Sequence, residues 1–401
     1  GGRNAWIYNE SPTKENLLFS FRDETGKEVC QLPFLLDFKG WRCIWAKFQG
    51  DMNMSSKSNI QSVEIQFPQH TKKGVTYIDL LEFTSKVSWQ NMSDAQYKVN
   101  RTDYSLIPDF IGYRNATPKV EKVITVEDNQ ITTITNRLTT WYLGSGQHSS
   151  ERWIKMRTEN EKTFIRNGVK AAQKIKIQYT EDHTPQGEPL FPMGAPTIID
   201  GQEAKKFRSI NENILLPLAL DYRKNQNDQS LKKALYIYDW FNDQGWADGS
   251  SMGTLCFEKL RSSGYFHSFF LLKEQLSPEQ LKRELQTMNW FTMFGACYQL
   301  PSHAGEVADN LRALAIPKLI YALSQNDKQE REVALTAFKH YMDNALGIAP
   351  GFFGTFKADF SGYHHRGPYH SAYYPHALYA GALIAYLLHD TTYAMSETTL
   401  H

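Results

Sequence analysis

Val63-Glu64-Ile65-Gln66-Phe67 alternates apolar and polar side chains with a period of two, the pattern of a strand that buries one face. The same alternation recurs on either side of it. Asn4-Ala5-Trp6-Ile7-Tyr8, Leu17-Leu18-Phe19-Ser20-Phe21, Cys43-Ile44-Trp45-Ala46-Lys47-Phe48 and Val75-Thr76-Tyr77-Ile78-Asp79-Leu80 are short runs of this kind. Turn residues such as Ser11-Pro12, Thr25-Gly26 and Gly50-Asp51 separate them. Strands this short, with no helical pattern between them, predict an antiparallel β-sandwich over residues 1–100 and disfavour a parallel sheet. Residues 101–118, punctuated by Pro108, Gly112 and Pro118, read as a linker.

Beyond the linker the period becomes helical. Glu151 to Ile177 carries apolar side chains at helical spacing, and Ala334, Phe338, Tyr341 and Ala345 share one face. Residues 181–201 are rich in Pro and Gly and predict a long surface loop. The last helix, about His376 to His389, is apolar nearly all round, which suits the inside of a multilayer array. The expected fold class is therefore α+β multidomain: the sandwich, then residues 119–401 as an incomplete (α/α) toroid of helical hairpins.

The bulk numbers exclude some functions. With 44 Lys and Arg against 43 Asp and Glu, the net charge of +1 carries no field for nucleic acid. Cys30, Cys43, Cys256 and Cys297 show no metal-ligand spacing, and free buried thiols are their expected state. No run reads as a signal peptide or is apolar over a membrane's thickness, so no membrane partner is expected. The opening Gly1-Gly2, leading straight into a strand, is how a fragment or processed chain begins. Aromatics make up 13% of the chain, enough for sugar-stacking faces, although a large core uses the same side chains.

Chemistry concentrates between Phe353 and Tyr379. His364, His365, His370 and His376 are four of the twelve histidines, interleaved with Tyr363, Tyr369, Tyr373, Tyr374 and Arg366. Gly362, Gly367, Pro368 and Pro375 keep most of this stretch out of regular helix. A loop so dense in titratable groups is either a site or a satisfied polar network between helices. Eliminative cleavage of a uronic-acid polymer needs a base for the weakly acidic C5 proton, donors that neutralise the neighbouring carboxylate, and an acid for the leaving oxygen. His, Tyr, Arg and an amide supply that inventory. No metal-ligand pair is present, so no cofactor is expected. A divalent cation such as calcium is compatible with the chemistry, but no pattern indicates it.

The run from Lys357 to Pro375, with Asp359, Tyr363, His364, His365, Arg366, Gly367, Pro368 and Tyr369, resembles the catalytic loop of the chondroitin sulfate ABC lyases of polysaccharide lyase family 8. Leu36 to Arg42, Tyr77-Ile78-Asp79, Asp243-Gln244-Gly245 and Ser263-Gly264-Tyr265 extend the likeness in order along the chain. The resemblance implies a bacterial, secreted or periplasmic monomer that cleaves chondroitin-type glycosaminoglycan, or hyaluronan, with His365 as the catalytic histidine. The family sets its catalytic tyrosine seven residues after that histidine. Ala372 stands there in this chain, so either Tyr373 is the catalyst after a one-residue insertion or the tyrosine has been replaced. The required phenol favours Tyr373, then Tyr374. His364, Arg366, Tyr369, Asn310 and Trp246 are the candidate substrate contacts.

Asn310 also reads as a helix-start polar residue, and Trp240, Trp246, Trp290 and Phe291 also read as core. The histidine that dermatan-acting members place before Gly-Tyr is absent from Arg261-Ser262-Ser263, which favours glucuronate; His267 would need a shifted loop. The family's arginine and glutamate lie beyond the length of this chain, so the resemblance implies a piece of a larger enzyme. Two alternatives stand beside it: a glycoside hydrolase using Asp239, Asp243 or Asp248, and a non-catalytic polysaccharide-binding relative.

Overall fold

The computed structural model describes residues 1–69, 74–97, 99, 109–145, 151–194 and 199–400. Positions 101–108 of the expected linker and 195–198 of the Pro/Gly-rich loop lie outside the described residues, and Phe110–Arg114 of that linker is a short helix. The chain divides into two compact units. Residues 1–109, 175–210 and 235–258 form the first, and 110–174, 211–234 and 259–401 the second.

The first unit is built on β1 (Gly2–Asn9), β2 (Asn16–Arg22), β3 (Glu28–Leu35), β4 (Gly40–Lys47), β5 (Ser62–Gln66) and β6 (Thr76–Thr84). These pair as two three-stranded sheets, ordered β4-β1-β6 and β3-β2-β5, with every pairing antiparallel. The alternation read from the sequence places its apolar set in one core: Ala5 and Ile7 of β1, Phe19 and Phe21 of β2, Phe34 of β3 and Ile44 of β4 are buried together. Arg3 is enclosed with them. Its guanidinium sits 3.7 Å from the Phe19 ring centroid, and burial pulls its pKa down to about 9. The Asn9 amide donates to the carbonyls of Leu36 and Phe38, tying the β3–β4 connection to β1.

Beyond the strands the chain is mostly helical. In order come α1 (Phe110–Arg114), α2 (Asp128–Leu143), α3 (Arg152–Ala172), the short strands β7 (Gln178–Tyr179) and β8 (Pro185–Gln186), and α4 (Lys205–Ile210), which runs through a π-turn at Asn211–Leu215 into α5 (Leu216–Asn225). α6 (Asp228–Asp243), α7 (Ser263–Leu272), α8 (Pro278–Thr292), α9 (Ala308–Leu323) and α10 (Lys328–Ala345) follow, then α11 (Tyr373–Leu388) and α12 (Glu397–Leu400). The helix expected from 151 to 177 ends at Ala172, because Gln178 and Tyr179 pair with Gln186 and Pro185 instead.

A short connection joins α9 to α10, and the two helices pack on each other, as in the hairpins of a helical toroid. Ser277 opens α8 with a capping box to Gln280, and Asp327 caps α10 by accepting the Glu330 N–H at 2.9 Å. In the second unit α9 packs against α8, α10 and α11. On α11, Ala377, Ala380, Leu383, Ile384 and Leu387 are buried, whereas Leu378, Tyr379 and Tyr386 are 49%, 59% and 52% exposed. The expectation of burial on every side is corrected: one stripe of this helix is open. No described helix is long and apolar enough to cross a membrane.

Candidate active site

Two tight hairpins fill the connection from α10 to α11. In the first, Phe356 bridges Gly362, and the Phe360 N–H donates to the Lys357 carbonyl at 2.9 Å. Asp359 accepts from the Ser361 N–H and hydroxyl, which closes the turn. Phe360 stands at the tip with φ 61° and is 80% exposed. Lys357 is buried and donates to the carbonyls of Gly351 and Phe353, so the segment before the hairpin is wrapped around its ammonium group.

The second hairpin pairs β9 (Tyr363–His364) with β10 (Gly367–Pro368) through a two-residue turn, His365-Arg366. Both turn residues have positive φ, 50° and 64°. Such turns normally carry Asn or Gly, because a Cβ crowds the backbone there. Gly362 has no room for a side chain, since a Cβ would lie 2.0 Å from Cγ of Tyr374. The second hairpin is therefore held close against the first turn of α11.

Tyr373 begins that turn and is the centre of a packed cluster. Its ring stacks on His364 at 3.9 Å with 20° between planes, and the His365 and Tyr369 rings meet it edge-on at 5.9 and 5.1 Å. The Arg312 guanidinium lies 5.4 Å from its centroid. His364 Nε2 is 3.6 Å from Oδ2 of Asp309, which is itself paired with Arg312. Burial lowers the His364 pKa; Asp309 opposes this, and His365 and Arg312 reinforce it.

The structure thus brings His365, Tyr369 and Tyr373 together, with Arg366 beside His365 on the turn. His364, expected to touch substrate, is only 8% exposed, with its ring stacked against Tyr373. Asn310 sits in the first turn of α9, with its amide donating to Glu306 Oε1 at 3.2 Å, while Glu306 Oε2 accepts from the Tyr341 hydroxyl at 2.9 Å. Trp246 is corrected from sugar contact to core. It is fully buried in the first unit, 4.5 Å from the Phe207 ring, and has no open face. Trp240, Trp290 and Phe291 are likewise buried.

Ala372 is exposed just before α11, and Tyr374 packs on Phe356 at 5.7 Å. His267 lies within α7, with its Nδ1 2.5 Å from the Tyr142 hydroxyl, and burial pushes its pKa down to about 4. The four cysteines are buried thiols outside any disulfide. Asp309 and Arg312 were not singled out in the sequence. Their i, i+3 spacing on a helix start is a common surface pair, and only the packing of α9 brings it to Tyr373.

Residues 117–401 match the family model described as "Lyase, catalytic", and residues 2–99 match "Lyase, N terminal". Among curated proteins, the chain is 26% identical to a chondroitin sulfate ABC exolyase of Bacteroides thetaiotaomicron over 421 residues, covering 98% of this chain and 39% of that protein. The chain therefore spans well under half the length of that relative. Among solved structures, a Paenibacillus xanthan lyase is similar with a TM-score of 0.51 at 13% identity, over 68% of this chain and 24% of that one. A Streptomyces coelicolor A3 chondroitin AC lyase, in complex with chondroitin sulphate, is similar with a TM-score of 0.51 at 11% identity, over 68% of this chain and 34% of that one.

Proposed function

This chain belongs to the polysaccharide lyase family whose N-terminal and catalytic models it matches, and from that membership we propose that it cleaves chondroitin-type glycosaminoglycan, with hyaluronan as a second substrate, by β-elimination. The observation that carries the reading is the Tyr373 cluster: a half-buried phenol at a helix start, met edge-on by His365 from a strained turn. In the proposed reaction the phenolate oxygen of Tyr373 removes the proton from C5 of the uronate. The electron pair forms the C4–C5 double bond as the C4–O bond breaks, and the phenol returns its proton to the leaving glycosidic oxygen. In this reading Arg366 and His365, both exposed at the turn, donate to the uronate carboxylate and stabilise the charge that develops on it. In this reading Tyr369, whose ring meets Tyr373 edge-on, contributes a further substrate contact.

The test is incubation of the protein with chondroitin sulfate, following the ultraviolet absorbance of the unsaturated uronate. Products without the double bond would overturn elimination in favour of hydrolysis. Tyr373→Phe keeps the stack on His364 and removes only the hydroxyl, so kcat should fall by about a hundredfold or more, while Tyr374→Phe should retain turnover. Full activity in Tyr373→Phe would move the base elsewhere.

A further inference from the structure

The sandwich carries an aromatic surface that the elimination reaction does not use. On sheet β4-β1-β6, strand register aligns Trp41, Tyr8 and Tyr77 in one row across the three strands. Tyr8 lies 5.3 Å from Trp41 and 5.9 Å from Tyr77, ring to ring, and Tyr77 is 59% exposed. The next row on the same face is Cys43, Trp6 and Asp79. This is the face opposite the sandwich core, because Ala5, Ile7 and Ile44 point the other way.

A cavity of about 190 Å³ opens against these rows, lined by Trp6, Trp41, Asp79, Gln244 and the segment from Gly187 to Met193. The segment is a firm wall: a Cβ on Gly187 would lie 2.3 Å from Nε1 of Trp240, so the backbone runs directly over that indole. Asp79 is aimed by a β-bulge. Between the pairs Asn4–Glu82 and Trp6–Asp79, two steps of β1 oppose three of β6. Leu80 takes up the extra step at φ 50°, and its N–H donates to Asp79 Oδ1 at 2.8 Å. A non-glycine residue in the left-handed region is strained, and strain of this kind collects at ligand sites.

We infer that this cavity binds one neutral pyranose ring, a hexose or N-acetylhexosamine, by stacking on Trp41 and by hydroxyl hydrogen bonds to Asp79 and Gln244. The volume is several times the roughly 30 Å³ share of a water molecule and suits a single ring. The indole supplies a flat apolar face, while a carboxylate and an amide converge from its side. Among the described lining residues Asp79 carries the only charge, so a uronate or a sulfated sugar meets like-charge repulsion with no cation to offset it. The inference goes beyond the lyase reading and does not depend on it.

The test uses the full chain with the unsulfated methyl glycosides of a hexose, an N-acetylhexosamine and a hexuronate, read by saturation-transfer NMR and titration calorimetry. The neutral glycosides should bind, and the hexuronate should bind about tenfold or more weakly. Asp79→Asn, an exposed and conservative change, should narrow that difference, and Trp41→Ala should abolish binding while Trp41→Phe keeps part of it. His365→Ala should leave neutral-sugar binding unchanged, which separates this site from the Tyr373 cluster. If no unsaturated product ever forms but Asp79-dependent binding persists, the lyase reading fails and this one stands. Equal binding in wild type, Asp79→Asn and Trp41→Ala, or tighter binding of the hexuronate, would overturn it.

Discussion

At the scale of single residues, the turn His365-Arg366 is where local preference and function pull apart. Two consecutive side chains hold positive φ at a position that the backbone would rather give to Asn-Gly. Each costs on the order of 1–3 kcal/mol, and the surrounding pairs, Tyr363 with Pro368 and His364 with Gly367, keep them there. Arg366→Gly should therefore stabilise the protein by about 1 kcal/mol in urea unfolding and weaken substrate binding. An unchanged or lower stability would mean that Arg366 makes compensating contacts. The sequence announced an irregular segment through Gly362, Gly367 and Pro368. It did not announce which residues take the strain, because Gly367 lies in the paired strand and not at the turn.

At the scale of elements, the α8–α9 pair depends on one buried cation. α8 ends at Thr292, and Met293 takes a left-handed C-cap conformation with φ 53°. Lys318, 1% exposed on α9, donates to the carbonyls of Thr292 at 2.6 Å and Met293 at 2.7 Å. A cation there satisfies acceptors that a helix end leaves open and complements its dipole. Burial lowers the lysine's pKa, while Cys297 and Glu306 act to raise it. Lys318→Met fills similar volume but strands those carbonyls, and should cost about 1–3 kcal/mol in chemical unfolding with little change in secondary structure by circular dichroism. A neutral outcome would mean that water replaces the ammonium group. Nothing in Ile316-Pro317-Lys318-Leu319 separates this lysine from a surface one, since its partners are backbone atoms of another helix.

At the scale of the whole molecule, one buried group in each unit ties stability to pH, and the two act in opposite directions. In the second, burial depresses His267 from its ordinary 6.5 to about 4. The unfolded chain binds that proton first, so the histidine's contribution is full above about 6.5 and is lost as pH falls towards 4, by up to about 3 kcal/mol. In the first unit, burial raises Asp243 to about 6, so its contribution is full below the ordinary carboxyl range and is lost as pH rises through 6. Urea unfolding of wild type and His267→Gln across pH 4 to 7 reads the first effect. The stability of the wild type relative to the variant should fall as the solution is acidified, and a pH-independent difference would remove His267 from the account.

What the sequence determined by itself was set by short-range rules. Period-two alternation over residues 1–100 yielded the antiparallel sandwich, and helical spacing further along the chain yielded the helical array. These follow from side-chain direction along a strand or helix, which needs no partner to be known. Only the tertiary structure decided that Trp246 is core, that His364 stacks against Tyr373, and that Asp309 and Arg312 complete the cluster. It likewise set the alternation of the two units along the chain and the alignment of Trp41, Tyr8 and Tyr77. The physical reason is the same in each case: burial, stacking and strand register are properties of pairs distant in sequence, and no local period encodes which pairs meet.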